Sequence, residues 1–224
     1  MRALFSYDAL SRTYRDPIAC LILVVDVFPI LAILWLRWRA EALVFLYWLE
    51  NLVIGGIALA QLILVSRAAG PQGLKLAAIL GPFFIFHFGL FCYVHGIFLH
   101  TFVALSSGTD PGFLGPLGLV ARALSSGAYL PAFLCLIIAL QIVLLFRDFL
   151  QAEAHTKRDI RAEMSAPYQR IVILHLALFA GAASLIVLGD PLLGVLALLG
   201  LRILWGVYQT SKRRLWLDSQ HLKS

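Results

Sequence analysis

Apolar residues occur in this chain in long unbroken stretches, not in alternation. Six such stretches, at 18–35, 43–65, 76–105, 129–146, 171–188 and 192–208, carry few charges. A helix needs about 20 apolar residues to cross ~30 Å of hydrocarbon. The pattern therefore predicts an all-α, polytopic integral membrane protein, a bundle of six transmembrane helices in one helical membrane domain covering residues 1–224. A β-barrel would need apolar residues at every second position, and these runs are continuous. A short turn at 37–41 makes spans one and two antiparallel neighbours. Gly70-Pro71-Gln72-Gly73 predicts a turn running on to Lys75 before span three. Between spans three and four, residues 106–127 are rich in Gly, Pro and Ser and also carry Phe113, Leu114, Leu117 and Leu119. That mixture predicts an interfacial loop, or a segment folded back over a cavity. Residues 147–170 predict a solvated helical connector up to Pro167.

Composition excludes a soluble fold, because 61% of residues are hydrophobic and only 13% charged, against roughly 25% charged in an ordinary soluble domain. The net charge of +6 raises nucleic acid as a partner, but the placement of the basic residues argues against it. Arg67, Lys75, Arg147, Arg158, Arg170 and Lys212 lie with the termini on one side, while Arg37, Arg39 and Arg122 lie on the other. By the positive-inside rule both termini are cytoplasmic. The expected partner is the lipid bilayer, not nucleic acid. The length of span one and the lack of a small-residue cleavage site favour a retained anchor over a removed signal peptide. Cys20, Cys92 and Cys135 stand singly, as packing residues and not as a thiolate or disulfide framework.

The candidate chemistry is polar and lies within the apolar runs. Tyr47-Trp48-Leu49-Glu50-Asn51 puts a carboxyl and an amide in span two, and span three carries His87, His95 and His100. Asp26 sits in span one, His175 in span five and Arg202 in span six. An acid at such depth costs roughly 2.5 kcal/mol or more unless a partner receives it. Counting 1.5 Å per residue brings Glu50 and His95 to similar depth, whereas His87 and His95 stand about 12 Å apart along one helix. Two clusters follow: Glu50, Asn51 and His95, with His100, as a metal site, and His87 with His175 as a cofactor site. Asp26 and Arg202 complete the polar interior, Arg202 as counter-ion to an acid.

Imidazole and carboxylate suit a transition metal such as iron, zinc or copper, and two histidines on facing helices suit a haem. The hypothesis is thus a metal or haem site between spans two and three. A proton- or ion-coupled transporter using Glu50 and His95 as a relay is the alternative. A scaffold in which polar groups only fix helix packing is the third. No His-Glu-x-x-His motif is present.

Residues 47–51 with Gly55, the run Phe83 to Phe91, and Val94-His95-Gly96-Ile97-Phe98 together resemble an uncharacterised family of bacterial polytopic membrane proteins, a domain of unknown function. Asp26 with Pro29, and Arg170 to His175, are similar as well. The resemblance implies a bacterial cytoplasmic membrane and directs attention to Glu50, Asn51, His87, His95 and His175. In span six it leads one to expect a Lys followed by an acidic residue, where this chain has Arg202-Ile203-Leu204-Trp205-Gly206.

Overall fold

The computed structural model describes residues 7–151, 168, 172, 176, 199–200, 203–212 and 214. Every element among the described residues is helical. The chain forms two compact units, Met1–Arg37 with Ala180–Ser224, and Trp38–Phe179. Among the described residues, four helices are long and apolar enough to cross a membrane: Pro17–Leu36, Ala40–Ala68, Gly70–Ser106 and Leu130–Arg147. These fall on the first four predicted spans. Apart from Val172 and Leu176, the predicted fifth span lies outside the described residues, as does most of the sixth, although 203–212 are helical.

The first unit holds α1 (Tyr7–Thr13) and α2 (Pro17–Leu36). Asp16 caps α2 by accepting the Ile18 N–H at 3.0 Å. Pro17 opens the helix at a position whose N–H would have no helical partner anyway. Arg37 closes it in the left-handed region (φ 53°), its N–H returning to the Ala32 carbonyl. Pro29 interrupts the ladder midway, since its ring nitrogen cannot donate to the carbonyl one turn back.

The second unit is built around α3 (Ala40–Ala68), the most buried of the long helices. Its first half is buried on all sides: residues 42–51 are buried apart from the half-buried Val44, Glu50 and Asn51 included. A helix covered all round lies at the centre of its neighbours. Its main neighbour is α4 (Gly70–Ser106). The predicted turn to Lys75 is corrected to something tighter: α3 ends at Ala68, only Ala69 intervenes, and α4 starts at Gly70 with φ +75°. Pro71 then favours a first helical turn instead of breaking one. Gly73 has no Cβ, so the Ser66 carbonyl can close to where one would lie, at 2.5 Å.

From that turn α3 and α4 run antiparallel in a fixed register. The Trp48 indole donates to the Cys92 carbonyl at 2.7 Å. Gly55 lies against the Phe88 ring edge, and Ala58 packs with Phe84, Phe88 and Cys92. Small residues at these points allow the two backbones to approach closely.

The loop predicted at 106–127 contains a further helix, α5 (Pro116–Leu124), packed on α3 and α4. Leu119 and Ala123 are fully buried, whereas Phe113 and Leu117 are each 85% exposed. Arg122 pairs with Glu41 and stands 5.6 Å over the Phe45 ring. Trp38 donates to the Ala128 carbonyl at 2.9 Å, fastening the far end of the loop. The last described helix of the unit, α6 (Leu130–Leu144), packs on α3 and continues as a π-helical stretch at Leu145–Gln151.

Candidate functional site

The register of α3 and α4 settles which predicted site residues share a level. Trp48 meets Cys92 and Gly96, and Gly55 meets Phe88, so Glu50 and Asn51 stand opposite roughly residues 91–94 of α4. His95 is therefore offset from them by no more than about 6 Å along the axis. All three are buried, with relative exposures of 5% for Glu50 and 7% for Asn51 and His95. At about 100° per residue, Asn51 falls on the α3 stripe of Trp48, Gly55, Ala58 and Leu62 that faces α4, and Glu50 lies on the adjoining flank. His95 falls in the buried stripe of α4 with Phe84, Phe88, Cys92 and Leu99.

The tautomer of His95 follows from one contact. Its Nδ1 lies 2.7 Å from the Phe91 carbonyl one turn back. A carbonyl only accepts, so Nδ1 carries the proton, and in the neutral ring Nε2 holds the lone pair. A backbone carbonyl on one imidazole nitrogen commonly fixes the other as base or ligand.

His100 departs from the predicted cluster. It lies five residues beyond His95, about 140° around and 7.5 Å along the helix, and its Nε2 donates to the Pro111 carbonyl of the following loop. It ties that loop to α4. Glu50, His95 and His100 do not converge on one point, and among the described residues no three His, Cys, Asp or Glu side chains gather closely enough to hold a metal ion. His87 stands apart as well, half-buried, with Nδ1 2.7 Å from the Tyr168 hydroxyl. His175, its predicted partner, lies outside the described residues, as does Arg202.

Asp26 belongs to the first unit. It is half-buried on α2, and its carboxylate lies where a Cβ on Gly206 would stand. Glycine at 206, having no Cβ, leaves that carboxylate room. Asp26 also acts on Tyr14, whose phenol is raised above 10.0 chiefly by burial, with the charges of Asp26 and then Cys20 adding to the shift.

A family model of unknown function, DUF6498, matches residues 8–223. The chain belongs to that family. Neither a curated protein nor a solved structure matches it. In this DUF6498 member the match extends over both units.

Sequence reasoning missed three parts of the site. The first is Tyr168, which closes on His87, Phe84 and Phe88 from the end of the polar connector. The second is the Trp48–Gly96 contact: a Cβ at Gly96 would stand 2.8 Å from the indole and 3.0 Å from Leu119 of α5. The third is a ladder of rings at four-residue spacing on α4. Phe83, His87, Phe91 and His95 follow one another with centroids 5.3, 5.3 and 5.9 Å apart. The spacing alone carried that signal, because residues four apart are neighbours on a helix surface.

Proposed function

We propose that this DUF6498 member is a multi-pass protein of the bacterial cytoplasmic membrane, with its termini inside, that takes up and releases protons at Glu50 and His95 in coupling to transport. The carrying observation is the burial of two titratable side chains, Glu50 and His95, at similar levels of the α3–α4 pair, with Asn51 buried on the α3 stripe that faces α4. A carboxyl group and an imidazole near each other exchange a proton at lower cost than either could exchange it alone with distant water. Asn51 offers an acceptor and two donors, enough to bridge a carboxyl and a ring nitrogen.

The metal reading is supported by the donor types alone, since imidazole and carboxylate are ordinary ligands of a transition ion. It needs a third protein ligand, and the described residues supply none. Proton transfer needs only the two groups in hand, so it is the reading preferred here.

The test is pH-driven flux in proteoliposomes loaded with a pH-sensitive dye. Glu50→Gln keeps the shape and removes the proton site, and it should abolish the proton movement while the helical circular dichroism stays unchanged. Undiminished flux in Glu50→Gln would refute the relay. Metal analysis of the same preparations separates the second reading: stoichiometric metal that disappears in His95→Gln would favour ion binding.

A further inference from the structure

We infer that residues 107–124 form a re-entrant hairpin that dips into the outer half of the bilayer and offers Phe113 and Leu117 to the acyl chains of the outer leaflet. The inference rests on the multi-pass reading and orientation proposed above, but on no role for Glu50 or His95. Side-chain contacts trace the path. Once α4 has ended at Ser106 the chain turns back along it, the His100 ring donating to the Pro111 carbonyl and the Tyr93 hydroxyl to the Leu114 carbonyl at 3.3 Å. Tyr93 and His100 share one stripe of α4 and stand about 10.5 Å apart along its axis. Three extended residues, from 111 to 114, cover about the same distance. Tyr93 precedes Ser106 by 13 residues, so the chain has descended about 20 Å beside its own helix. Then α5 climbs back. Leu119 meets Gly96, Arg122 pairs with Glu41 in the first turn of α3, and the Ala128 carbonyl accepts from Trp38 just ahead of that helix. The tip reaches the level of Glu50 and Asn51 on a different flank, because Tyr93 and His95 are about 160° apart around α4.

Polarity along the segment follows the same path. Ser106, Ser107, Thr109 and Asp110 precede the descent, and Arg122, Ser125 and Ser126 end the ascent, all at the end where α4 stops and α3 starts. Between them, from Pro111 to Ala121, no side chain carries a charge or a hydrogen-bonding group. The neutral run therefore coincides with the part that lies deep. Phe113 and Leu117 are each 85% exposed there. A helix lying on a water surface shows a polar face, whereas the outward side of α5 continues from Leu117 through Val120, Ala121 and Leu124. A lipid head group would find no charge or donor side chain along 111–121, and acyl chains need none.

The backbone suits that medium as well. Irregular chain at membrane depth is tolerated only where it is laid against protein and its polar groups are met. His100 and Tyr93 take two of the loop carbonyls, and the Asp110 carboxylate accepts the Gly112 N–H at 3.1 Å. Pro111 and Pro116 have no N–H to satisfy.

The test uses the full chain in phosphatidylcholine nanodiscs, with the exposed Cys20 and Cys135 changed to Ser so that nitroxide labels attach only where placed. Labels go on Phe113→Cys and Leu117→Cys, with Asp110→Cys as the water reference and Phe98→Cys, on an exposed apolar face of α4, as the lipid reference. Spin relaxation by oxygen, which concentrates in hydrocarbon, is compared with relaxation by a water-soluble nickel chelate. The expected result is an oxygen-to-nickel ratio at 113 and 117 close to that at 98 and severalfold above that at 110. Tyr93→Phe, which removes a single oxygen, should raise nickel access at 113 severalfold. Nickel access at 113 and 117 equal to that at 110, with 98 still in lipid, would overturn the hairpin alone, and nickel access at 98 too would refute the membrane reading itself. Poor access of both reagents at 113 and 117 would mean a protein cover in place of lipid and would also overturn the proposal, as would a label at 113 that Tyr93→Phe leaves unmoved.

Discussion

Two glycines on one helix should respond to the same substitution with opposite signs. In Gly96→Ala the new methyl would stand 2.8 and 2.9 Å from indole carbons of Trp48 and 3.0 Å from a methyl of Leu119. None of these has an easy retreat. Trp48 is 2% exposed and held by its 2.7 Å bond to the Cys92 carbonyl, and Leu119 is fully buried. Overpacking of this kind costs about 1–3 kcal/mol, and loosening the indole bond adds about 1 kcal/mol. Against this stands a gain of roughly 0.8–1.0 kcal/mol from helix propensity. The net expectation is a loss of about 1–3 kcal/mol. At Gly89 a Cβ would meet nothing within 4 Å, so Gly89→Ala retains only the propensity gain and should be neutral or stabilising by up to about 1 kcal/mol. Equilibrium unfolding of the purified protein in mixed micelles at increasing dodecyl sulfate fraction measures both. Trp48→Phe removes the indole atoms that clash, so Gly96→Ala should cost less in that background, a coupling that a double-mutant cycle isolates. If Gly96→Ala is as stable as wild type, or is stabilised as Gly89→Ala is, the close approach of α3 and α4 at this point is refuted.

Three further outcomes are expected. Adjacent glycines on α3 should also differ: Gly55→Ala drives a methyl into the Phe88 ring, while a Cβ on Gly56 meets nothing within 4 Å. Unfolding should therefore show a loss of about 1–3 kcal/mol for the first and none for the second, and equal effects would count against the register. Arg122→Gln breaks a part-exposed ion pair with Glu41 and a contact over Phe45; it should cost about 1 kcal/mol or less but speed amide exchange in Pro116–Leu124, and unchanged exchange would remove its role in holding α5. Tyr14 is neutral in the fold to a higher pH than in the unfolded chain, because burial raises its phenol above 10.0. The unfolded state ionises first, so stability is intact below about pH 10 and falls as pH rises beyond it. The phenolate absorbance of folded protein should thus lag that of unfolded protein, a lag absent in Tyr14→Phe, and coincident titrations would refute the burial.

Some of this architecture was legible in the sequence, for reasons that particular residues make plain. Glu50, Asn51 and His95 were conspicuous because a polar group in an apolar run stands out whatever surrounds it. Helix ends were less so. Span two was expected at 43–65, yet α3 runs from Ala40 to Ala68, because hydropathy marks where apolar surface stops and not where backbone hydrogen bonds stop. The same reasoning set the turn too long at Gly70-Pro71, where a left-handed glycine and a proline together begin a helix. Helix α5 was hidden by its brevity and its Gly and Pro flanks, although Leu119 and Ala123 were already at the four-residue spacing of a buried stripe. Trp48 against Gly96 was beyond reach, since it depends on the register between two helices. Tyr168 was missed for a related reason: it follows Pro167 at the end of a polar connector, where no apolar pattern singles it out.

The polar residues and the glycines together set how dry the site is. Asn51 lies three residues from Trp48 and four from Gly55, and both neighbours sit on close contacts with α4, one at Gly96 and one at Phe88. Such contacts on either side of Asn51 leave little space for water between the helices at its level, and α5 presses Leu119 against Gly96. A carboxyl group and an imidazole in so low a dielectric interact far more strongly than they would in water. If Glu50 and His95 form the relay proposed above, small changes in helix separation act on proton affinity before they unfold the protein. Gly55→Ala and Gly96→Ala, which leave every titratable group in place, should therefore shift the pH midpoint of any activity that depends on Glu50, whereas Gly56→Ala and Gly89→Ala should not. A shift shared equally by all four variants would mean that the spacing of α3 and α4 does not govern the site.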